Sequence, residues 1–199
     1  THSALFASPE QLCRRRADAG VMKIFAVGGE GDGGVDVSTV ECLDLLTGQW
    51  NAVAAMSTAR CNHGVAVVDG KLYVVGGYSD ATDTRLSSVE CFDPSTGQWS
   101  AMAAMTTARY NHGVGVVDGT LYAVGGKDAI HTNLSSVECF DPSTGQWSAV
   151  AAMGTARAGH GVAVLGGKLY AVGGYDGSNR VSSVECYDPS TDQWSQVAA

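Results

Sequence analysis

Proline is scarce in this chain, with 4 residues in 199, and Lys plus Arg number only 12 against 20 Asp plus Glu. The net charge of -8 argues against a phosphate-backbone ligand, because nucleic-acid binding rests on clustered cations. The one basic run, Arg14-Arg15-Arg16, reads as a solvated charge run. No apolar run approaches the length that crosses a bilayer, so no membrane association is expected. A basic start followed by an apolar block is missing at the N-terminus, so no secretory leader is expected either. The chain lacks the Cys-x-x-Cys spacing that a zinc site wants. It also lacks a phosphate-binding glycine loop, a unique Cys–His pair and a Ser–His–Asp grouping. Neither a metal nor a cofactor is expected, and the chain is not read as an enzyme.

What the chain has in abundance is repetition, the feature to look for first because missing it mistakes the whole fold. Double glycines stand at Gly28-Gly29, Gly76-Gly77, Gly125-Gly126 and Gly173-Gly174, 48 or 49 residues apart, and each pair is followed by a tryptophan: Trp50, Trp99, Trp147, Trp194. The string Ser-Ser-Val-Glu-Cys-Phe-Asp-Pro-Ser-Thr-Gly-Gln-Trp-Ser-Ala fills positions 87 to 101 and again 135 to 149. With hydrophobic residues at 45%, the 26 glycines do not make a flexible linker.

Each repeat reads as four strands. In the second, Gly64 to Val68 is short, apolar and β-branched, as a buried inner strand should be. Asp69-Gly70 supplies a two-residue hairpin turn that needs positive φ. Lys71 to Val75 returns and ends at Gly76-Gly77, where a Cβ would clash with a closely packed neighbouring backbone. A polar loop is expected from Tyr78 to Leu86, then a third strand at Val89-Glu90-Cys91-Phe92. The turn Asp93-Pro94-Ser95-Thr96-Gly97 leads to an outer strand, Gln98 to Met102. The only helix signal is Ser8-Pro9-Glu10, a cap residue followed by proline.

The combination of apolar strand, double glycine, Val-Glu-Cys-Tyr/Phe-Asp-Pro and spaced Trp, over about residues 21 to 199, resembles the kelch repeat. It is most similar to the kelch domains of the BTB-kelch family. The resemblance implies an all-β chain: a β-propeller built from four kelch repeats, with four-stranded antiparallel blades at about 21–56, 57–105, 106–153 and 154–199. Propellers of that family usually have more blades than these repeats supply. A small closed ring, an open arc and half of a homodimeric propeller all stay open, and an open arc would expose an apolar blade face. Residues 1–20 form an N-terminal segment with two readings. Thr1 to Ala7 is similar to the inner-strand segment Asn62 to Val68, which would make 8 to 20 an enlarged hairpin loop; otherwise 1 to 20 is a linker. Leu12 to Ala17 faintly resembles the basic linker that enters such propellers.

Within a radial repeat, Cys42, Cys91, Cys139 and Cys186 fall in different blades and are poorly placed to bridge one another. They are expected to be buried free thiols in a reducing, cytoplasmic compartment. Arg60, Arg109 and Arg157 recur before the inner strands, and Glu41, Glu90, Glu138 and Glu185 in the third strands, as repeated ion pairs would. His63, His112 and His160, with His2 as a candidate fourth, suggest a ring of imidazoles for a metal, but repetition alone accounts for them and a structural role is preferred.

Function is expected where the repeats differ, since loops on a rigid scaffold carry specificity. The resemblance places a partner on the mouth formed by the loops after the double glycines and those entering the inner strands. The candidate aromatic anchors are Tyr78, Tyr110 and Tyr175, and Arg85, Lys127 and Arg180 are candidates to grip carboxylates. Cys61, Asn62, Asp80, Asn111, His131, Asn133, Asp176 and Asn179 complete the candidate set. The reading is a protein-interaction module for a protein or peptide, as in substrate-recruiting domains of ubiquitin ligase adaptors. The alternatives are a kelch-type enzyme or metal-dependent propeller, or an actin-binding structural protein.

Overall fold

The computed structural model describes residues 3–4 and 23–197. The Ser8-Pro9-Glu10 helix signal, the basic run, Cys13 and most of the N-terminal segment lie outside the described residues. Those that are described form strands and loops without a helix.

Four antiparallel sheets of four strands follow one another along the chain as blades. Blade 1 holds β1 (Ser3–Ala4), β2 (Lys23–Glu30), β3 (Asp36–Asp44) and β4 (Gln49–Val53). Blade 2 holds β5 (Gly64–Val68), β6 (Lys71–Val75), β9 (Val89–Asp93) and β10 (Gln98–Met102). Blade 3 runs through β11 (Gly113–Val117), β12 (Thr120–Val124), β13 (Val137–Asp141) and β14 (Gln146–Val150). Blade 4 runs through β15 (Gly161–Leu165), β16 (Lys168–Val172), β17 (Val184–Asp188) and β18 (Gln193–Val197). Ser3 pairs with Val27 as Gly64 pairs with Val75, so β1 takes the inner place in its sheet.

The expected polar loop after Gly77 is not wholly irregular. It folds into a two-stranded ribbon, β7 (Tyr78–Ser79) with β8 (Thr84–Arg85), because Asp83 at φ 47° turns the chain back on itself. The hairpin turns have the predicted chemistry: Asp69 and Gly70 stand at φ 49° and 77°, the doubly positive geometry that matches strand twist. Cys42, Cys91 and Cys186 are buried free thiols, whereas Cys139 is half-exposed; it lies on the blade 3 face whose neighbour is the last blade. Burial pushes each of Cys42, Cys91 and Cys139 up from its ordinary value.

Blades stack through apolar faces. Val27, Val40 and Met56 meet Val65, Leu72, Val74 and Phe92; the same arrangement recurs between blades 2 and 3 and between blades 3 and 4. Each tryptophan after the first caps its seam by donating its indole N–H to the linker of the preceding blade. Trp99 donates to Ala54 at 2.7 Å, Trp147 to Ala103 at 2.9 Å and Trp194 to Ala151 at 2.9 Å.

The recurrent arginine ties both levels together. Arg109, fully buried, donates to the carbonyls of Gly125 at 2.9 Å and Ser136 at 3.1 Å and to Glu138 at 2.7 Å. Glu138 also accepts the N–H groups of Thr106 and Thr107. Meanwhile the Arg109 carbonyl accepts from Gly77 of the blade before, at 2.9 Å. Arg60–Glu90 and Arg157–Glu185 repeat the arrangement; among the described residues Glu41 has no arginine.

The double glycines let this happen. A Cβ on Gly125, at φ 58°, would sit 2.6 Å from the Arg157 carbonyl oxygen. Gly125→Ala is therefore expected to cost about 2 kcal/mol or more, from clash and strain together. Gly48, at φ 69° with nothing within 4 Å, carries strain alone. Gly48→Ala should cost about 1–2 kcal/mol, and urea unfolding of the two variants checks the difference.

Burial alone would raise the Glu138 carboxyl, but the Arg109 hydrogen bond and the Thr106 N–H outweigh it and hold it below its ordinary value of 4.5. A depressed folded value means that this clamp stabilises the fold above pH 4.5 and that the contribution is lost as pH falls further. Arg109→Met strands the carboxylate and should cost about 3–5 kcal/mol at neutral pH. The gap from wild type should narrow in acid, which urea midpoints at about pH 7 and about pH 3 would show.

Candidate functional site

Two groups of loops converge at one end of the blades. The loop entering each inner strand pairs with the loop after the double glycine: Cys61 with Tyr78, Tyr110 with Lys127, and Ala158 with Tyr175. Neighbouring blades are joined there by backbone bonds, Asn111 N–H to Asn62 at 3.0 Å and Gly159 N–H to Asn111 at 2.8 Å. Asn62 and Asn111 take φ 52°, a conformation asparagine tolerates better than most residues. The chain thus forms a rim whose backbone is fixed and whose side chains differ from blade to blade.

The richest side-chain cluster spans blades 2 and 3. The Arg85 guanidinium lies over the Tyr78 ring at 4.9 Å and near the Tyr110 ring at 6.0 Å. Stacking on aromatic faces suits the planar guanidinium. Arg85 donates to His131 Nε2 at 3.0 Å, which makes that nitrogen the acceptor. Nδ1 then carries the proton and donates to the Tyr110 hydroxyl at 2.7 Å. Asp83 accepts from the Tyr78 hydroxyl at 2.9 Å and from Arg85 at 3.3 Å. Its hydrogen bond is the main reason the Tyr78 hydroxyl rises from its ordinary value.

Around blade 4, Lys127 Nζ lies 5.8 Å from the Tyr175 ring, and Asn133 donates to the Tyr175 carbonyl. Tyr175 is exposed, and its hydroxyl donates to Gly177 at 2.8 Å. Asp176 accepts the N–H groups of Ser178 and Asn179, and those backbone bonds, Asn179 first, hold its carboxyl below the ordinary range. Asn179 and Arg180 are exposed beside it.

Charge at the mouth is uneven in a useful way. Asp83 is occupied by Tyr78 and Arg85, Asp128 by the N–H groups of Ile130 and Thr132, and Asp176 by its own turn. Asp80 and Asp36 exchange backbone N–H bonds at 3.1 and 2.9 Å, stitching blade 2 to blade 1. Among the described residues Lys127 and Arg180 join no ion pair. Arg85 is itself largely covered, with its side chain 20% exposed against 80% for Asp83, whereas Arg180 is exposed and Lys127 half-buried.

Most of the sequence-derived candidates come together here, but Cys61 does not present its side chain. It is 9% exposed. Burial, then Asp36, pushes its thiol up to about 12. Sequence reasoning missed Asp36 and Asp83, which organise the loops: neither recurs in other repeats, and short polar loops give no periodic signal. It also missed Ser88, Ser136 and Ser183, whose carbonyls and hydroxyls serve the arginine clamps, although they stood in the repeated string.

The recurrent histidines lie deeper, in the seams. His63 Nε2 donates to the Val27 carbonyl at 3.1 Å, and a Cβ on Gly76 or Gly125 would meet the His112 or His160 ring. No group of three or more His, Cys, Asp or Glu among the described residues is gathered as a metal centre.

Sheets stacked as blades, double glycines admitting a neighbouring backbone, and Arg–Glu clamps in each seam define a kelch-repeat β-propeller. Profile comparison agrees: the KLHDC2/KLHL20/DRC7 Kelch-repeats domain matches residues 7–156 and 62–199, and the chain belongs to that family. Kelch-like ECH-associated protein 1B of Danio rerio is 43% identical over 62 residues, 30% of this chain and 11% of that protein. Kelch-like protein 3 of Mus musculus is 46% identical over 43 residues, 22% of this chain and 7% of that protein. The matched stretches thus span only a small part of these relatives. The solved structure of YjhT shares the fold, with TM-score 0.76 at 22% identity over 88% of this chain and 62% of that one.

Burial, and then the adjacent arginine, pushes His63 and His160 down to about 4, so both imidazoles are neutral in the folded protein. In the unfolded chain they protonate near 6.5, and stability should fall on acidification through that window. Between about pH 7 and pH 5 each histidine should cost about 2 kcal/mol. His160→Gln should flatten the decline in urea midpoint, and an unchanged slope would contradict the assignment.

Proposed function

We propose that this chain is a non-catalytic protein-interaction module whose mouth takes an acidic peptide or acidic loop of a protein partner. The observation that supports this best is Arg85, held against Tyr78 and Tyr110, steadied by His131 and already gripping the exposed carboxylate of Asp83, with Lys127 and Arg180 on the same rim outside ion pairs. A guanidinium already ordered by stacking loses little freedom on gripping a carboxylate. Exposed Tyr175 and Ile130 add apolar surface beside the cations. The proposed contact set is Tyr78, Asp80, Arg85, Tyr110, Lys127, His131, Tyr175 and Arg180, with Asn62, Asn111, Asn133, Asp176 and Asn179 shaping the rim.

We take residues 21–199 as the working unit. One matched relative is named for its association with another protein, ECH. In a longer parent chain, the same mouth would recruit a substrate to a ubiquitin ligase in the cytoplasm.

A peptide-display library selected on the chain should enrich sequences rich in Asp and Glu. Combined Arg85→Ala, Lys127→Ala and Arg180→Ala substitution should weaken the selected peptides at least about tenfold. The unfolding free energy in urea should shift by only about 1 kcal/mol or less, because Arg85 and Lys127 bridge blades at the rim alone and the apolar seams and arginine clamps are left intact. Enrichment without acidic residues, or full retention by the triple variant, would refute the reading.

A further inference from the structure

The two ends of the arc are unlike, and each is half of an interface that the chain already forms three times. In blade 3, Val117, Tyr122 and Val124 are buried by blade 4, at 3%, 6% and 0% exposure. Their counterparts in blade 4 are Leu165, Tyr170 and Val172, and Leu165 is 71% and Val172 44% exposed. A Cβ on Gly113 would strike Val162 of the next blade, whereas the nearest atom to one on Gly161 is the Val172 carbonyl oxygen of its own sheet, at 4.0 Å. At the other end, Trp50 is 49% exposed, while its three counterparts each donate their indole N–H to a preceding blade. Among the described residues nothing covers this face of blade 4, and no linker carbonyl accepts from the Trp50 indole.

We propose that a second copy of this chain supplies both. The open face of blade 4 in one copy seats blade 1 of the other, and the reciprocal contact closes a two-fold ring of twice four blades. The occupant is identified by continuity: the seam between blades 3 and 4 shows what this face takes, namely the apolar back of another kelch blade carrying an indole. Blade 1 offers Ile24, Ala26 and Leu43, half-buried, beside Trp50. A contact between unlike patches closes into a ring only when rotation permits, and about eight blades lies within the range propellers adopt. An apolar face this open rarely stays bare in water. The proposal concerns the ends of the arc and leaves the mouth reading untouched.

Light scattering after size exclusion tests it, over about 1–100 µM chain. One species of twice the chain mass is expected. Leu165→Glu and Trp50→Glu should each weaken pairing by at least about tenfold. Mixing the two variants should restore a one-to-one pair, because one of its two interfaces is then wild type on both sides. Both side chains are exposed in the single chain, and an unchanged far-UV circular-dichroism spectrum verifies folding; Val172→Lys replaces any variant that fails this check. A single-chain mass throughout, a dimer indifferent to the substitutions, a mixture that does not pair, or growth into open filaments would each overturn the two-copy ring.

Discussion

A guanidinium buried between two blades is the interaction on which the rest of this structure depends. Arg60, Arg109 and Arg157 are fully buried, and each side chain holds two carbonyls, a serine hydroxyl and a carboxylate of its own blade. Each main-chain carbonyl is bound by the second glycine of the blade before. One residue therefore sets the register within a sheet and the spacing between sheets. Burying a charge is costly, and the pair is not an efficient source of stability. Its value is geometric: an apolar seam of Val, Leu and Phe tolerates sliding, whereas a fork with fixed acceptors does not.

The seam divides the chemistry of the molecule. Residues that repeat are consumed by it: the glutamates by arginine and linker N–H groups, the histidines by burial against glycine, the tryptophans by linker carbonyls. Residues that vary are lifted to the rim, where Asn62, Asn111 and Gly159 form a backbone chain across blades. Because that backbone is held, Arg85, Tyr110 and His131, from two blades, can be positioned as one cluster. The scaffold's rigidity is what makes a loop-borne site specific.

Repetition also leaves the ends incomplete. A blade is stabilised mainly by its neighbours, as in other repeat architectures, so the last face carries the same apolar residues as an internal one without being covered. Evolution or duplication of a single unit cannot distinguish the two situations, since the sequence of blade 4 still follows the pattern of blade 3. The buried Leu169, Ala171 and Tyr187 show that the last seam within the chain forms, with Cys139 half-exposed at its margin, and the exposed Leu165 and Val172 lie on the far face of blade 4.

The sequence by itself determined the blade. Period, double glycine, hairpin turn and apolar strand are local properties, and Asp69-Gly70 or Gly76-Gly77 meet steric demands that hardly depend on context. The recurrence of Arg and Glu likewise foretold a pair, because three repeats carry both. What the tertiary structure decided is which varied residues meet. Asp36 and Asp80, or Arg85 and His131, are 44 and 46 positions apart and share no pattern. Cys61, a rim candidate by position, turns inward because Asp36 and the seam lie beneath it. Local rules specify strands and turns; contacts between blades depend on how rigid sheets rotate against one another, and no single repeat encodes that.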